Sequence, residues 1–245
     1  MTAQDGITIA LIVAAVFTVT RITGFGGALI GVPLISLVAG PRTTVVATIV
    51  LAVVSTGYLA ITLRTLIDRP ILRRIIPGVL VGLVPGAIIL QVVDEDALRA
   101  MLAVAVVGGA TLILWRRNRP PLDLPRWVDT AAGGVAGLLT TSLSTNGPPV
   151  VVLLQARGLE PEPFRATLSA TFLIANVVGM ALLGASGQLV PDVWRTVAVA
   201  LPGLAVGQYL GLKLARRVPT SWFPTIVTAM LATSVVSITV GIVRA

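Results

Sequence analysis

The sequence predicts an all-α, polytopic membrane protein. Of its 245 residues, 56% are hydrophobic and only 11% are charged, whereas a soluble domain carries about 25% charged residues. The apolar residues form runs that reach the roughly 20 residues needed for one helical crossing of a bilayer. Alternating segments of about 10 residues, which are typical of membrane β-barrels, are absent from the sequence. The whole chain, 1–245, is therefore predicted to be a single membrane domain.

Apolar segments separated by charged or Pro/Gly-rich loops follow one another along the chain. They run from about residue 7 to 39, 43 to 63, 72 to 92, 97 to 115, 128 to 155, 164 to 183, 194 to 214 and 222 to 243. The first and the fifth are interrupted, at residues 23–27 and 144–149. Because glycine permits unusual backbone angles and proline suits the first turn of a new helix, each interruption predicts two half-helices.

The composition excludes several classes of protein. The chain has no cysteine and no histidine, which removes thiol and serine–histidine catalysis and the commonest metal ligand. We therefore expect no enzyme, no catalytic residue, no cofactor and no metal. The net charge of +8 falls in short loops, as in membrane proteins, so no nucleic-acid partner is expected. Residues 1–6 carry no Lys or Arg, which does not fit a secretory signal peptide.

The two halves of the chain share a pattern. Residues 77–86 and 202–211 both read P-G-x3-G-x3-G, 125 positions apart (202 − 77). Each half also opens with a broken segment. This agreement predicts an internal duplication, with repeat 1 at about 7–115 and repeat 2 at about 128–243. The glycine rows are interpreted as surfaces for close helix packing.

Loop charge predicts the orientation of the repeats. The basic loops at 64–74, 116–126 and 213–217 should be cytoplasmic, and the acidic turn at 94–96 should be external. These assignments agree only if the fifth segment enters the membrane and returns to the same side. The sequence therefore favours an inverted repeat with two re-entrant helical hairpins and six full crossings. A parallel repeat with eight crossings is the alternative.

The two interruptions form the candidate binding site. Half-helices that start near Ala28 and Pro148 would point their N-terminal ends at the middle of the membrane, where free N–H groups and the helix dipole favour an anion. Matched interruptions in two repeats indicate a transporter's substrate site, although the glycines and prolines could serve packing and kinks alone. The candidate substrate-binding residues are Arg21, Thr23, Gly24, Phe25, Gly26, Gly27, Ser144, Thr145, Asn146, Gly147, Asn176 and Gln208.

Polar residues inside apolar segments allow two interpretations each. Arg21 could bind an anion directly, or it could extend to the membrane interface or cap a helix C-terminus. Asn176 and Gln208 could line a pathway or bond to neighbouring helices. All ten acidic residues fall in predicted loops or helix ends. A carboxylate site for protons or cations at the midplane is therefore not expected.

Residues 23–34, with the sequence TGFGGALIGVPL, and residues 146–151, with the sequence NGPPVV, resemble the repeated glycine-rich element of the sulfite exporter TauE/SafE family, also called the toluene sulfonate uptake permease family. Size, duplication and spacing agree over essentially the whole chain. The resemblance implies transport of sulfite, sulfonates, other organosulfur anions or related small organic acids.

We therefore expect a secondary carrier or facilitator for a small anion, with many crossings of the cell inner membrane. Its expected partners are the anionic substrate and the lipid bilayer, and assembly into a homo-oligomer stays open. An anion channel is the main alternative. An intramembrane enzyme and a non-transporting scaffold are further alternatives, and the missing histidine and cysteine disfavour the enzyme.

Overall fold

The computed structural model of the chain describes residues 2–23, 27–116 and 119–215. Over these residues the protein is all-helical and contains no strand, which confirms the predicted fold class. The helices are α1 (Ala3–Thr23), α2 (Gly27–Ala39), α3 (Pro41–Thr62), α4 (Arg69–Val92), α5 (Glu95–Arg116), α6 (Trp127–Leu143), α7 (Gly147–Ala156), α8 (Pro161–Ala185) and α9 (Pro191–Ala215). The last predicted segment, 222–243, lies outside the described residues.

Six of the described helices are long and apolar enough to span a membrane, namely α1, α3, α4, α5, α8 and α9. The others are shorter: α2 has 13 residues, α6 has 17 and α7 has 10. The sequence predicted α1 as one arm of a hairpin, yet its 21 residues could cross unaided. The added length comes from a polar first turn, where the Thr2 amide donates to Asp5 Oδ2 at 2.7 Å.

Helices α6 and α7 form a hairpin whose two outer ends meet. Asp129, in the first turn of α6, is completely buried at 0% exposure. Its carboxylate pairs with Arg157 at the end of α7 (2.7 Å) and with Arg74 of α4 (3.3 Å). The amide of Leu122 also donates to the carbonyl of Ala156 at 2.7 Å. The fifth segment therefore enters and leaves the bundle at the same end, as the loop charges predict.

The charged loops separate to opposite ends of the bundle. The amide of Asp68, before α4, donates to Thr167 Oγ1 near the start of α8 (2.9 Å), and Arg165 reaches the carbonyl of Arg21. Together with the Arg74–Asp129 pair, these contacts place the basic loop 64–74 and the start of α8 at the end where α6 and α7 meet. At the other end Arg42 donates to the carbonyl of Val93, beside the acidic turn 94–96. We call these the basic end and the acidic end.

The two glycine rows pack against backbone. A Cβ added to Gly78, Gly82 or Gly86 of α4 would overlap carbonyl oxygens of α6, and a Cβ at Gly203 of α9 would overlap the carbonyl of Ala10 in α1. The predicted role of these glycines in close packing is confirmed. Each row lies in one predicted repeat and packs on the first helix of the other. The duplication itself stays a prediction.

Candidate functional site

A small cavity lies where α1, α2, α3, α6, α7 and α8 meet. Its volume is about 60 Å³, which is room for about two water molecules at their volume in the liquid. The residues that line it are Phe17, Thr20, Gly27, Ala28, Leu29, Thr48, Ala52, Ser55, Thr56, Ser144, Thr145, Asn146, Gly147, Phe172 and Asn176. The members from α3 and α8 lie near the middle of those helices, so the cavity sits midway between the two ends of the bundle. We call it the central cavity.

The central cavity brings together much of the predicted site. Six predicted residues line it: Gly27, Ser144, Thr145, Asn146, Gly147 and Asn176. Thr23 is the last residue of α1, and the predicted residues Gly24, Phe25 and Gly26 lie outside the described residues. Arg21 and Gln208 are not among the lining residues. The two interruptions of the sequence therefore converge on one place in the described part of the fold.

The interruption between α6 and α7 has a specific backbone geometry. Ser144 adopts left-handed angles (φ 54°, ψ 22°) and ends α6, with its amide bonded to the carbonyl of Thr140 at 3.0 Å. It is the one non-glycine residue with positive φ among residues 2–23, 27–116 and 119–215. Such a conformation costs of order 1–3 kcal/mol and is concentrated at functional sites. Pro148 and Pro149 then restart the chain as α7, where missing N–H groups cost little.

Both short helices begin at the central cavity. The first residues of α2 (Gly27–Leu29) and of α7 (Gly147) line it, so two positive helix ends point inward. Gly27 packs closely on α1, because a Cβ there would lie 2.5 Å from Thr20 Oγ1 and would displace that side chain. The carboxylates of the described chain lie at loops, caps or first turns. The electrostatic field of the site therefore favours an anion.

The hydroxyl groups around the cavity differ in whether they donate a hydrogen bond to the protein. Thr20 and Thr56 donate to the carbonyls one turn back, at 2.8 and 2.7 Å. In contrast, Thr48 Oγ1 and Thr145 Oγ1 are buried and have no hydrogen-bond partner in the described chain. Buried polar groups are nearly always paired, so an unpaired one needs an explanation. A bound oxyanion would accept from both hydroxyls.

Gln208 contacts a residue of the cavity lining without lining the cavity itself. Its Nε2 donates to Ser55 Oγ at 2.6 Å, and Ser55 lines the cavity. With an oxygen lone pair occupied, Ser55 keeps its own proton available as a donor. Of the two interpretations for Gln208, bonding to a neighbouring helix is the one observed. Asn176, 3% exposed, lines the cavity.

None of the residues that line the cavity is charged. Hydroxyl and amide donors and two helix ends would have to bind an anion without an ion pair. Over residues 2–23, 27–116 and 119–215 there is also no group of acidic side chains that could hold a metal ion.

The sequence did not predict the contribution of α3. Thr48, Ser55 and Thr56 line the cavity, as do Phe17 and Phe172. A signal was available, because Thr48 and Ser55 are seven residues apart and share one helix face. Hydroxyl residues in helices often bond only to their own backbone, as Thr56 does, so this signal is weak.

Arg21 lies in the last turn of α1, away from the cavity lining. It is 8% exposed, and its side chain is buried among neighbouring helices. Its guanidinium lies over the ring of Tyr58, with 4.7 Å between Cζ and the ring centroid. Arg165 of α8 donates to its carbonyl oxygen at 3.2 Å.

Short helices that begin at a cavity midway through a helical membrane bundle are typical of membrane transport proteins. The chain belongs to the sulfite exporter TauE/SafE family, whose model matches residues 9–238. It is thus a multi-pass membrane transporter, and its resemblance to this family is confirmed.

Two relatives give the family context. The chain is 29% identical over 166 residues to the probable inner membrane transporter protein TsaS of Comamonas testosteroni. The aligned residues cover 67% of this chain and 70% of the relative. The chain is 27% identical over 215 residues to the probable sulfite/organosulfonate exporter TauE of Cupriavidus necator, covering 83% and 80%. No solved structure matches the chain.

Proposed function

We propose that the protein moves sulfite or an organosulfonate across the cell inner membrane, and that the central cavity binds the anionic group. The observation that carries the proposal is the pair of buried, unpartnered hydroxyls of Thr48 and Thr145 beside the starts of α2 and α7. The names of the family and of the relatives support the substrate class.

Size and polarity support a small oxyanion. A cavity of about 60 Å³ suits a group such as sulfite or the head of a sulfonate, and a larger organic acid would need the cavity to widen. Asn146 and Asn176 place amide groups beside the free hydroxyls. Hydrogen bonds from neutral donors to an ionised group each contribute about 1.5–3 kcal/mol.

The packing suggests which parts move. Helix α9 packs on α1, and α4 packs on α6, through backbone contacts at glycine. The predicted repeats therefore interlock, and they are poor candidates for independent rigid bodies. In our proposal one unit holds α1, α2 and α9, and the other holds α4, α6 and α7, so that rocking opens the central cavity to either end in turn. The basic end is cytoplasmic in this proposal.

Counterflow in proteoliposomes tests the proposal. Vesicles loaded with unlabelled sulfite should accumulate labelled sulfite, with saturation and with competition by an organosulfonate but not by chloride or lactate. An anion channel would instead give large currents and no counterflow. Absence of both signals for every sulfur oxyanion would contradict the proposed function.

A matched pair of variants locates the site. Asn146→Asp places a carboxylate in the cavity with almost no change of shape, and sulfite counterflow should fall at least about 100-fold because like charges repel. Gln188→Glu makes the same chemical change in the loop between α8 and α9, outside the cavity lining, and should leave transport unchanged. Equal effects of the two variants would show that the cavity does not bind the anion.

A further inference from the structure

Two arginines lie together at the end of α1, outside the central cavity. Arg165 of α8 donates from Nη2 to the carbonyl oxygen of Arg21 at 3.2 Å. The guanidinium of Arg21 is held from another direction by the ring of Tyr58 on α3. Helices α1, α3 and α8 therefore meet at the two arginines, with the side chain of Arg165 on the backbone of Arg21 and the side chain of Arg21 on Tyr58.

Neither arginine is paired with a carboxylate in the described part of the chain, where the ion pairs lie elsewhere. Arg21 is more than nine-tenths buried, and its Nη1 has no hydrogen-bond partner. The Nε of the half-buried Arg165 is likewise buried and unpartnered. Glu162, one turn earlier on α8, is exposed and forms no ion pair with it.

This arrangement needs a negative partner. A buried charge is penalised by the low dielectric unless it is paired, and two like charges side by side add repulsion. Arg165 partly has a structural role, because a cation is favoured at the C-terminal end of a helix such as α1. That role leaves the donors at Arg21 Nη1 and Arg165 Nε unexplained. In a membrane-spanning helix such groups indicate a functional site.

We propose that Arg21 and Arg165 form a second oxyanion-binding site, distinct from the central cavity. Guanidinium groups bind oxyanions through parallel N–H donors, which matches sulfite or a sulfonate head. The face of Arg21 lies on Tyr58 by a cation–π contact, which leaves the edge of the guanidinium for the anion.

The position of this arginine pair indicates its use. Thr20 lines the central cavity and directly precedes Arg21. Arg165 lies just beyond the turn that joins α7 to α8 at the basic end. The pair thus lies between the basic end and the cavity, where positive charge raises the local anion concentration. The site holds an anion before it enters the cavity or after it leaves, and this use rests on the proposed function.

Binding stoichiometry separates the two sites. Purified protein in detergent, freed of phospholipid, should bind two labelled sulfite ions per chain in equilibrium dialysis. Arg21→Gln with Arg165→Gln should reduce this to one, and so should Asn146→Asp, because each change removes a different site. The exposed arginine at the acidic end supplies the control, since Arg195→Gln should retain two.

Several outcomes would overturn this inference. It is wrong if the double arginine variant binds as many sulfite ions as the wild type. If the wild type binds one ion, and that ion is lost in Asn146→Asp but kept in the double arginine variant, the proposed function stands and the second site alone fails. If the single ion is lost only in the arginine variant, the arginine pair binds sulfite and the proposed function of the cavity fails instead.

An anionic lipid headgroup offers the same chemistry, and a second measurement distinguishes it. Native mass spectrometry of protein from anionic nanodiscs should show no phospholipid that depends on the arginine pair. A tightly held phospholipid on wild type that is lost in the double variant would overturn the assignment to a transported anion. If the double variant does not fold, Arg165→Gln alone tests the site, and it should weaken the second sulfite binding about tenfold or more while the first is unchanged.

Discussion

Single hydroxyl groups decide the polarity of the central cavity. Thr56 gives its proton to the carbonyl of Ala52 and offers an anion only lone pairs. Thr145, 1% exposed, has an oxygen without any partner in the described chain. Ser55, which accepts from Gln208, keeps its proton for the cavity. The same residue type therefore has opposite roles within one lining, according to its local hydrogen bonds.

This difference predicts opposite effects on stability and binding for Thr145→Val. Removing a buried, unpaired hydroxyl should raise the free energy of unfolding of the empty protein by about 1 kcal/mol, since such a group costs about 1–3 kcal/mol. The same change should weaken sulfite binding about tenfold or more, because a donor to an ion is lost. Thermal unfolding with and without sulfite measures both effects.

Thr56→Val is the control for that experiment. It keeps the shape of the lining but removes a hydroxyl whose proton never faces the anion, so sulfite affinity should change less than about twofold. Thr145 would have no binding role if the two valine variants bound sulfite equally well.

Much of the candidate site could be predicted from local sequence, and the remainder could not. Glycine and proline act on their own backbone, so the starts of the short helices, expected near Ala28 and Pro148, are observed at Gly27 and Gly147. Contacts between helices that are far apart in the sequence have no comparable local signal. The charge of Arg21 inside an apolar run therefore predicts a site residue although Arg21 lies away from the cavity lining, whereas little in the local sequence distinguishes Thr48, which lines the cavity.

At the scale of helices, α4 and α6 approach each other through glycine. The carbonyl of Gly134 occupies the space where a side chain at Gly82 would lie. The spacing of four residues repeats this contact at each turn, from Gly78 to Gly86. Such close approach replaces side-chain packing with backbone contact, which is a common way for membrane helices to associate.

Gly82→Ala should therefore destabilise the protein. The added methyl would overlap backbone that cannot rotate away, and such overpacking costs about 1–3 kcal/mol. Gly108→Ala on α5 is the matched control, because no atom lies within 4 Å of its added Cβ. There the gain in helix propensity should stabilise the protein by about 0.5–1 kcal/mol. Unfolding of both variants in detergent measures the difference, and equal stabilities would contradict the close contact.

Across the whole molecule, the hairpin of α6 and α7 determines how the loops are distributed. Both outer ends of the hairpin lie at the basic end, so the hairpin does not cross the membrane. Between the α4–α5 loop and the α8–α9 loop the chain therefore crosses the membrane twice, through α5 and through α8. Both loops then lie on one side of the membrane. If the fifth segment crossed the membrane instead, these loops would lie on opposite sides. The sidedness of two loops therefore distinguishes the inverted arrangement from the parallel one.

Cysteine labelling can measure this sidedness without background, because the chain contains no cysteine. Single variants Asp96→Cys and Val190→Cys place exposed thiols at the acidic end, and Thr65→Cys and Asp123→Cys place them at the basic end. In intact cells a membrane-impermeant thiol reagent should label the first two and not the others, which should react only after the cells are opened. Labelling of Asp96→Cys without Val190→Cys would favour the parallel repeat. If intact cells labelled Thr65→Cys and Asp123→Cys but neither of the other two, the hairpin would be supported. The basic end, and with it the arginine pair, would then face the outside of the cell.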